Sequence, residues 1–418
     1  MKYAVIDATH TSKAAEGMAG TWLRWELSRR KAAVTAPESA DVLLCSLNSM
    51  VMLPTLRNRL KKAKNPKARV VIGGAACYSP VSFEHLGDAM CVGEGQRFMR
   101  VLLEDGWRAA CELPEAWIPG DTRTVIPSID FPWDLPPIER NDGQIQVFAS
   151  RGCKSSCLFC AEGWAADYSV NPNLPKIERF CDRLRRQGKA YMVGSNDAAH
   201  DGLSLLKGVK AASVSLKAVQ RAIAAGMIGP KRIKVVRIGV EGVSERMRKA
   251  CGKACSDDEL IETTAELLAR RVNVIYFFVV GMPCERDEDY EALQAYITRM
   301  QSTISRGNIM CMFHSFDPHP STPMGIFGLE DEYYARFMRV FYWWARGPGY
   351  TARVALRKPA GVQTRLKSAK LYMGATEEQL YEGWFERNNP NWRIQYRKPP
   401  STLRRIATNY QKRYGGAP

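Results

Sequence analysis

The chain opens on an alternation of short apolar runs and longer amphipathic stretches. Tyr3-Ala4-Val5-Ile6, Val42-Leu43-Leu44-Cys45 and Val70-Val71-Ile72 are short, apolar and mostly rich in β-branched residues, and they read as buried strands. Helical periodicity fills residues 14–30 and 53–63 between them, and the third strand ends in Gly73-Gly74. A further strand at 89–92 runs into Gly93-Glu94-Gly95-Gln96 and a helix to about residue 104. Strands separated by helices make a parallel sheet, so residues 1–108 are expected to form a Rossmann-like βα domain.

Periodicity then fails. Prolines at 114, 119, 127, 132, 136 and 137 mark residues 109–142 as a linker crossing a surface in extended form. Strands return at 145–149, 190–193, 213–216, 234–238, 274–280 and 309–313, with helical patterns between them. Six βα units over residues 143–325 predict a barrel or part of one. After Pro323 the pattern turns helical, aromatic and basic, and residues 326–418 are read as a mainly helical C-terminal region. The fold class is therefore α/β, with two parallel-sheet units in series.

Composition narrows the setting. Across 418 residues, 45% are hydrophobic and 25% charged, which is ordinary for a folded protein and far from a disordered one. No run of about 18 apolar residues occurs and the N-terminus carries no signal-peptide core, so the expected location is the cytoplasm, with no membrane partner. The 12 cysteines are then expected as reduced thiols or metal ligands rather than disulfides.

Three of them carry the chemistry. Arg151-Gly152-Cys153-Lys154-Ser155-Ser156-Cys157-Leu158-Phe159-Cys160 sets Cys153, Cys157 and Cys160 at CxxxCxxC spacing, directly after a predicted strand. Such a loop wraps three thiolates around one face of a cubane and leaves the fourth iron without a protein ligand. A structural zinc site would need a fourth Cys or His, and none lies within the next 20 residues.

This spacing, with aromatic Phe159 just before the last cysteine, resembles the signature of the radical S-adenosylmethionine (SAM) superfamily. The resemblance implies a [4Fe-4S] cluster whose open iron is chelated by SAM, and reductive cleavage of SAM to a 5'-deoxyadenosyl radical that abstracts hydrogen from substrate. It also implies a reducing partner such as flavodoxin or ferredoxin. Val193-Gly194-Ser195-Asn196-Asp197 stands where the family carries a Gly-Gly-Glu-like stretch that receives the SAM amine, with Ser195 and Asn196 departing from the usual residues. Arg237-Ile238-Gly239-Val240-Glu241 resembles the fourth-strand motif facing the SAM ribose and carboxylate, so Arg237 and Glu241 are implied in SAM binding. Gly281-Met282-Pro283-Cys284-Glu285 resembles the Gly-Leu-Pro-Gly-Glu stretch that frames adenine, which assigns Gly281 and Pro283 to the cofactor. Cys284, where the family has glycine, and His319, in Phe316-Asp317-Pro318-His319-Pro320, are the candidate catalytic side chains.

That last segment resembles one branch of the superfamily, whose members commonly carry an N-terminal cobalamin-binding domain. Asp41 to Ser46, Val71 to Ala75 and Val92 to Gly95 fall where that domain has its third strand, its Gly-Gly turn and its closing Gly-Glu-Gly. The lower-ligand motif Asp-x-His-x-x-Gly is missing, because Asp7-Ala8-Thr9-His10 has different spacing. Two alternatives stay open: cobalamin bound without a histidine ligand, or a scaffold that has lost it. A methylthiotransferase would need a second cluster on three N-terminal cysteines; Cys45, Cys77 and Cys91 exist, but none follows the first strand. Cys251 and Cys255 are read as packing on a helical face.

Charge suggests the substrate. The formal net charge is +17, and residues 336–418 hold 17 basic against 4 acidic residues. Such a field draws polyanions, and aromatic residues among the charges, from Tyr342-Trp343-Trp344 to Tyr410 and Tyr414, are candidates for stacking on bases. The expected activity is modification or rearrangement of a carbon centre on a nucleic-acid base, DNA or RNA, for example isomerisation of an aminoacyl substituent on hypermodified thymine in phage DNA. The alternatives are a cobalamin-dependent methylase of a small molecule or peptide, a methylthiotransferase, and a nucleic-acid-binding protein without catalysis.

Overall fold

A computed structural model describes residues 1–8, 18–63, 65–129, 131, 133, 137–139, 143, 145–165, 167–189, 191–195, 211–229, 233–304, 307–327, 333–346, 354–357, 398 and 400–415. Strand β1 (Lys2–Asp7) is buried at every position but its first, as a parallel strand covered on both faces must be. Ala4 and Ile6 join a core on one face of the sheet with Leu43 and Ile72, while Tyr3 and Val5 join a core on the other with Leu44 and Val71.

Along the chain follow α1 (Met18–Arg29), β2 (Ala33–Val34), β3 (Val42–Ser46), α2 (Leu53–Ala63), β4 (Arg69–Gly73), β5 (Ala89–Cys91), α3 (Gln96–Glu104), α4 (Trp107–Cys111) and β6 (Ala116–Trp117). The sheet order is β2-β1-β3-β4-β5-β6, parallel except for β6 against β5. The order reverses direction at β1, and a crevice opens at the C-terminal strand ends of such a switch point.

The segment expected to be a linker at 109–142 is attached to this sheet over its first half. It supplies the end of α4 and all of β6, and Ser128 bridges Gly93, with the Ser128 amide donating to the Val92 carbonyl at 3.0 Å and the Glu94 amide to the Ser128 carbonyl at 2.8 Å. Its prolines cut the pairing short but leave enough N–H groups to extend the sheet.

The second unit starts with β7 (Ile138–Glu139), β8 (Ile145–Phe148), β9 (Ser150–Arg151), β10 (Ser169–Val170), α5 (Leu174–Arg186) and β11 (Tyr191–Gly194), of which β7, β8 and β11 form one sheet. It continues through β12 (Ala211–Val214), α6 (Leu216–Ala224), β13 (Val235–Glu241), α7 (Glu245–Ala250), α8 (Asp257–Ala269), β14 (Asn273–Val280), α9 (Asp287–Thr303), β15 (Ile309–Ser315), α10 (Tyr333–Arg346), β16 (Val354–Arg357) and α11 (Pro400–Tyr414). Strands β12 to β16 pair in sequence order and all in parallel. All six expected strands are present, and β16 adds a parallel strand inside the region read as mainly helical.

Burial alternates strictly along β13, β14 and β15. Val236, Ile238, Tyr276, Phe278 and Phe313 are packed into one core with the covering helices. The half-buried alternates face the other way, into the barrel, where register aligns Arg237 with Ile275 and Met310, Gly239 with Phe277 and Met312, and Val279 with His314. Serines start the helices that follow the strands. Ser215, Ser244 and Ser256 each accept the third helical amide, at 3.3, 3.1 and 3.1 Å, and Glu259 completes a capping box with Ser256.

In the basic C-terminal region α11 is amphipathic: Leu403, Ala407 and Tyr410 are buried, and Arg404, Arg405, Lys412 and Arg413 are exposed. Trp344 and Tyr410 are therefore core rings rather than stacking platforms, whereas Tyr342 is 49% exposed and Tyr414 half-buried. Trp343 is half-buried and packs on the barrel core, and the aromatic residues from Tyr350 to Tyr396 lie outside the described residues. Among the described residues no helix is long and apolar enough to cross a membrane.

Candidate active site

Strands β9 and β10 pair antiparallel, Arg151 with Ser169, and pin both ends of the loop that carries Cys153, Cys157 and Cys160. Gly152 has φ +64°, and a Cβ there would lie 2.5 Å from the Asp167 carbonyl oxygen, so the turn into the loop needs glycine. The loop is tied down elsewhere by backbone and indole bonds. The Leu158 amide donates to the Cys251 carbonyl at 3.0 Å, the Met324 amide to the Leu158 carbonyl at 3.0 Å, and the Trp164 indole to the Cys157 carbonyl at 2.8 Å. Cys157 is buried, Cys153 and Cys160 are half-buried, and Phe159 packs on the barrel core.

Burial pushes the thiols of Cys157 and Cys160 up to about 11 and about 12. Thiolates in this setting need a cation to hold them, which a metal cluster provides. Among the described residues no three His, Cys, Asp or Glu side chains converge on a single-ion site. The donor set, one loop with three thiols and no fourth ligand in reach along the chain, fits a cubane with one open iron.

On the barrel side the loop meets Glu241 and Lys253. A β-bulge at Gly239/Glu241 ends β13 and puts Glu241 at φ +69°, a conformation that costs about 1–3 kcal/mol outside glycine and is a frequent mark of binding sites. Its carboxylate lies 3.9 Å from the Lys253 ammonium, and a Cβ on Gly239 would strike it. Burial raises the Glu241 carboxyl against the pull of Lys253. Burial lowers Lys253, and Cys157, Glu241, Cys251 and Cys160 more than reverse that, so the ammonium is retained. Two opposite charges, half-desolvated beside a cluster loop, suit a ligand that carries both an amine and a carboxylate.

The remaining rim residues are fixed by their neighbours. Gly194 leaves no room for a side chain, since a Cβ would come 2.7 Å from the Phe148 ring, and Ser195 shares a 2.7 Å hydroxyl bond with Ser150. Asn196 and Asp197 lie outside the described residues. Arg237 faces the barrel interior one layer below Gly239. The Gly281 amide donates to the buried Glu285 carboxylate at 2.8 Å and the Tyr290 hydroxyl to the same oxygen at 2.5 Å, while the Tyr410 hydroxyl donates to the Pro283 carbonyl. Cys284 has φ +68° and its carbonyl accepts from Arg246 at 2.7 Å, so the candidate thiol sits in a strained turn.

On its other side the cluster loop faces the N-terminal domain. The Arg151 guanidinium binds Glu94, with Nε 2.9 Å from the carboxylate, and lies 5.0 Å from the Phe131 ring centroid. Beside this pair a cavity of roughly 420 Å³ is walled by Ser46, Gly73, Gly74 and Glu94 of the first domain and by Arg151, Glu162 and His319 of the second. A Cβ on Gly73 would meet nothing within 4 Å, so glycine there keeps the space open. His319 is therefore brought to the domain interface. It is buried, its ring centroid is 5.6 Å from that of Tyr78, its Nδ1 is 2.8 Å from the Ser321 hydroxyl, and burial lowers its pKa to about 4, leaving it neutral.

Four solved structures are similar to this chain in fold, and one curated protein is similar in sequence. The radical SAM methyltransferase TsrM from Kitasatospora setae, with tryptophan substrate and a SAM analogue bound, matches with a TM-score of 0.55 at 13% identity, over 78% of this chain and 75% of that one. The same enzyme with cobalamin and a [4Fe-4S] cluster bound gives 0.55 at 12% identity. OxsB, a cobalamin-dependent SAM radical enzyme with aqua-cobalamin and SAM bound, gives 0.52 at 12% identity, over 72% of this chain and 52% of that one, and its aqua-cobalamin form gives 0.51. The fold is the one that TsrM and OxsB share. A tRNA-2-methylthio-N(6)-dimethylallyladenosine synthase from Janthinobacterium sp. (strain Marseille) is 24% identical over 331 residues, 71% of each chain. No protein-family model matches the chain.

Within this radical SAM fold two residues carry signals that sequence reasoning missed. Lys253 lies between the two cysteines read as a packing pair, and its loop turns back onto the cluster loop: a Cβ on Gly252 would be 3.5 Å from the Cys157 Cα. His314, on the interior face of β15, has its ring centroid 5.5 Å from that of Phe277. The run Ile309 to Phe313 is continuously apolar, so the sequence carries no alternation that could assign His314 to the interior face, and only the burial pattern does. Cys45, Cys77 and Cys91 are all buried, and burial holds their thiols far above the ordinary range.

Proposed function

We propose that this chain is a radical SAM enzyme that transforms a carbon centre on a nucleic-acid base, with a corrinoid seated in the interdomain cavity. One observation carries the reading: the cysteine loop is a shared wall. Its Cys157 side docks on Cys251, Lys253 and Glu241, and its Arg151 and Glu162 line the cavity that Gly73 keeps open. Cys153, Cys157 and Cys160 would hold the cluster; Glu241 and Lys253 would orient the amine and carboxylate of SAM; the Gly281 to Pro283 backbone would frame its adenine. Bound there, the cluster and SAM would supply radical chemistry able to take one hydrogen atom from a substrate carbon, and returning that hydrogen to the rearranged carbon would make an isomerisation redox-neutral. The nucleic-acid substrate is supported by the +17 charge and by the exposed basic face of α11, and the tRNA-acting relative is consistent with it.

The cavity also favours a second reading, cobalamin-dependent methylation, because a methyl carrier needs a seat next to the cluster loop and an isomerisation does not. Anaerobic reconstitution with iron, sulfide, hydroxocobalamin and a flavodoxin reductant, followed by mass spectrometry of DNA and RNA nucleosides, tests both. With methyl-deuterated SAM, a labelled methyl group on a base identifies methylation. A mass-neutral change of a pre-modified base identifies isomerisation. Failure to form 5'-deoxyadenosine under reduction, together with unchanged nucleosides, would leave a binding protein without catalysis.

A further inference from the structure

A second cavity lies on the C-terminal rim of the barrel, with a volume of about 330 Å³ and a wall made of Arg246, Lys249, Arg286, Arg413 and Tyr414. It draws on three separated parts of the chain. Arg246 and Lys249 come from α7, just beyond Glu241; Arg286 directly follows the Gly281 to Glu285 turn; Arg413 and Tyr414 end α11. The rim that carries the proposed SAM residues therefore carries this cavity too.

The guanidinium groups are held in place. Arg246 reaches Asp289 through Nε at 2.9 Å, the Cys284 carbonyl through Nη2 at 2.7 Å and the Tyr414 carbonyl through Nη1 at 3.2 Å. Arg286 donates to the same Tyr414 carbonyl at 2.9 Å, and Arg413 lies 5.5 Å from the Tyr414 ring centroid. Of the neighbouring carboxylates, Asp289 is paired with Arg246 of the wall itself and accepts from Ser244, Asp287 is paired with Arg336 and Arg339, and Glu245 accepts from the Asp257 amide. Among the described residues Lys249, Arg286 and Arg413 have no ion-pair partner and all three are exposed.

Helix capping explains only part of this. Cations favour a helix C-terminus, and Arg246 and Arg286 satisfy the last carbonyl of α11. Lys249 and Arg413 make no contact with that carbonyl, and a concave wall of converging cations is more than a cap requires. We propose that this cavity binds a backbone phosphate of the nucleic-acid substrate, anchoring the strand at the rim of the barrel. The proposal rests on the nucleic-acid reading above. A planar guanidinium matches phosphate oxygens in a paired geometry, and Lys249, Arg286 and Arg413, which have no ion-pair partner among the described residues, line one recess that suits a single phosphodiester.

The test uses the full-length, anaerobically reconstituted protein and a fluorescent 15-nucleotide single strand, DNA and RNA in parallel, with affinity measured across salt concentrations. Arg286→Gln/Arg413→Gln removes two cavity charges; Arg404→Gln/Arg405→Gln removes two from the same region outside it. The cavity pair is expected to weaken binding by on the order of tenfold or more and to reduce the log-log salt slope by about 0.7–0.9 for each lost contact, with a smaller change from the outer pair. Lys249→Gln, which disturbs no bond in the described structure, should lower the slope by one such step and guards against a frayed α11. Equal losses from the two pairs would mean a diffuse field and overturn the site. So would wild-type affinity in the cavity variants alongside slower cluster reduction by flavodoxin, which would make the recess a redox-partner contact. If wild type binds and modifies nucleic acid but the cavity variants do so equally well, the site falls and the wider reading stands; if wild type binds neither strand, both fall.

Discussion

The two parallel sheets of this protein both end in glycine-containing turns at their C-terminal edges, but those turns do opposite things. In the N-terminal sheet Gly73 faces open space, and the crevice at the strand ends stays a cavity. In the barrel Gly239 makes way for the Glu241 carboxylate and Gly281 turns its amide onto Glu285, so the strand ends are filled with fixed charges and bonds. A recess kept empty and partly apolar suits a large rigid cofactor; charges placed in pairs suit a small zwitterion. The cysteine loop lies between them, bonded to Glu94 on one side and to Cys251 on the other. Chemistry in this protein is divided by where side chains are withheld as much as by where they are placed.

The largest effect expected is at the shared wall. Replacing Cys153, Cys157 or Cys160 by Ala should drop iron content and 5'-deoxyadenosine formation to background while the far-ultraviolet circular dichroism is retained, because the loop is held by bonds to Trp164, Cys251 and Met324, and the Ser155 amide to the Cys153 sulfur at 3.4 Å adds only a weak one. Iron retained at wild-type level in any one of the three would remove the cluster from this loop. Next is the open crevice. Gly73→Leu puts a side chain into the cavity, and retained corrinoid absorbance after desalting should fall at least about tenfold with iron content kept, since overfilling a cofactor seat costs about 1–3 kcal/mol or more. Undiminished corrinoid would place the cofactor elsewhere.

Much of this division was legible in the residues. Short β-branched runs set by helical stretches located β1, β3, β4 and the barrel strands within a few residues, because buried parallel strands have little choice of composition. CxxxCxxC located the loop. What periodicity could not reveal came from long-range closure. Val354 to Arg357 pairs with β15 although helices surround it in sequence, the Pro-rich stretch rejoins the first sheet through Ser128, and His319 crosses to the other domain. Lys253 was hidden for the same reason: only the return of its loop onto Cys157 makes it part of the site.

A smaller effect separates the charges of the barrel site. Lys253→Met removes one partly buried charge-assisted partner, worth about 1.5–3 kcal/mol, and should raise the SAM dissociation constant roughly 10- to 100-fold without loss of iron. Glu241→Gln should act in the same direction but less, since an amide still occupies the place beside Lys253. Equilibrium binding of SAM to the reconstituted protein measures both, and an unchanged constant in Lys253→Met would assign that ammonium to holding the loop alone.

The smallest effect tests whether the bonds that fill the barrel's strand ends are structural. Burial pushes the Glu285 carboxyl up to about 8, despite the hydrogen bonds from Tyr290 and from the Gly281 and Met282 amides that favour its ionised form. In the unfolded chain the same group titrates near about 4.3. The folded state thus holds the proton more tightly, so its stabilising contribution is full below about pH 4 and is lost as pH rises toward about 8, levelling off above. Glu285→Gln keeps an oxygen to accept from Gly281 and Tyr290 but carries no charge at any pH. Between pH 6 and pH 9 the wild type should therefore lose melting temperature relative to the variant, by roughly 1 °C for each kcal/mol of linked stability in a chain of this length. Parallel melting curves across that range would mean that Glu285 is ionised in the fold, and that the Gly281 turn is held by a carboxylate as charged as the Glu241 beside Lys253.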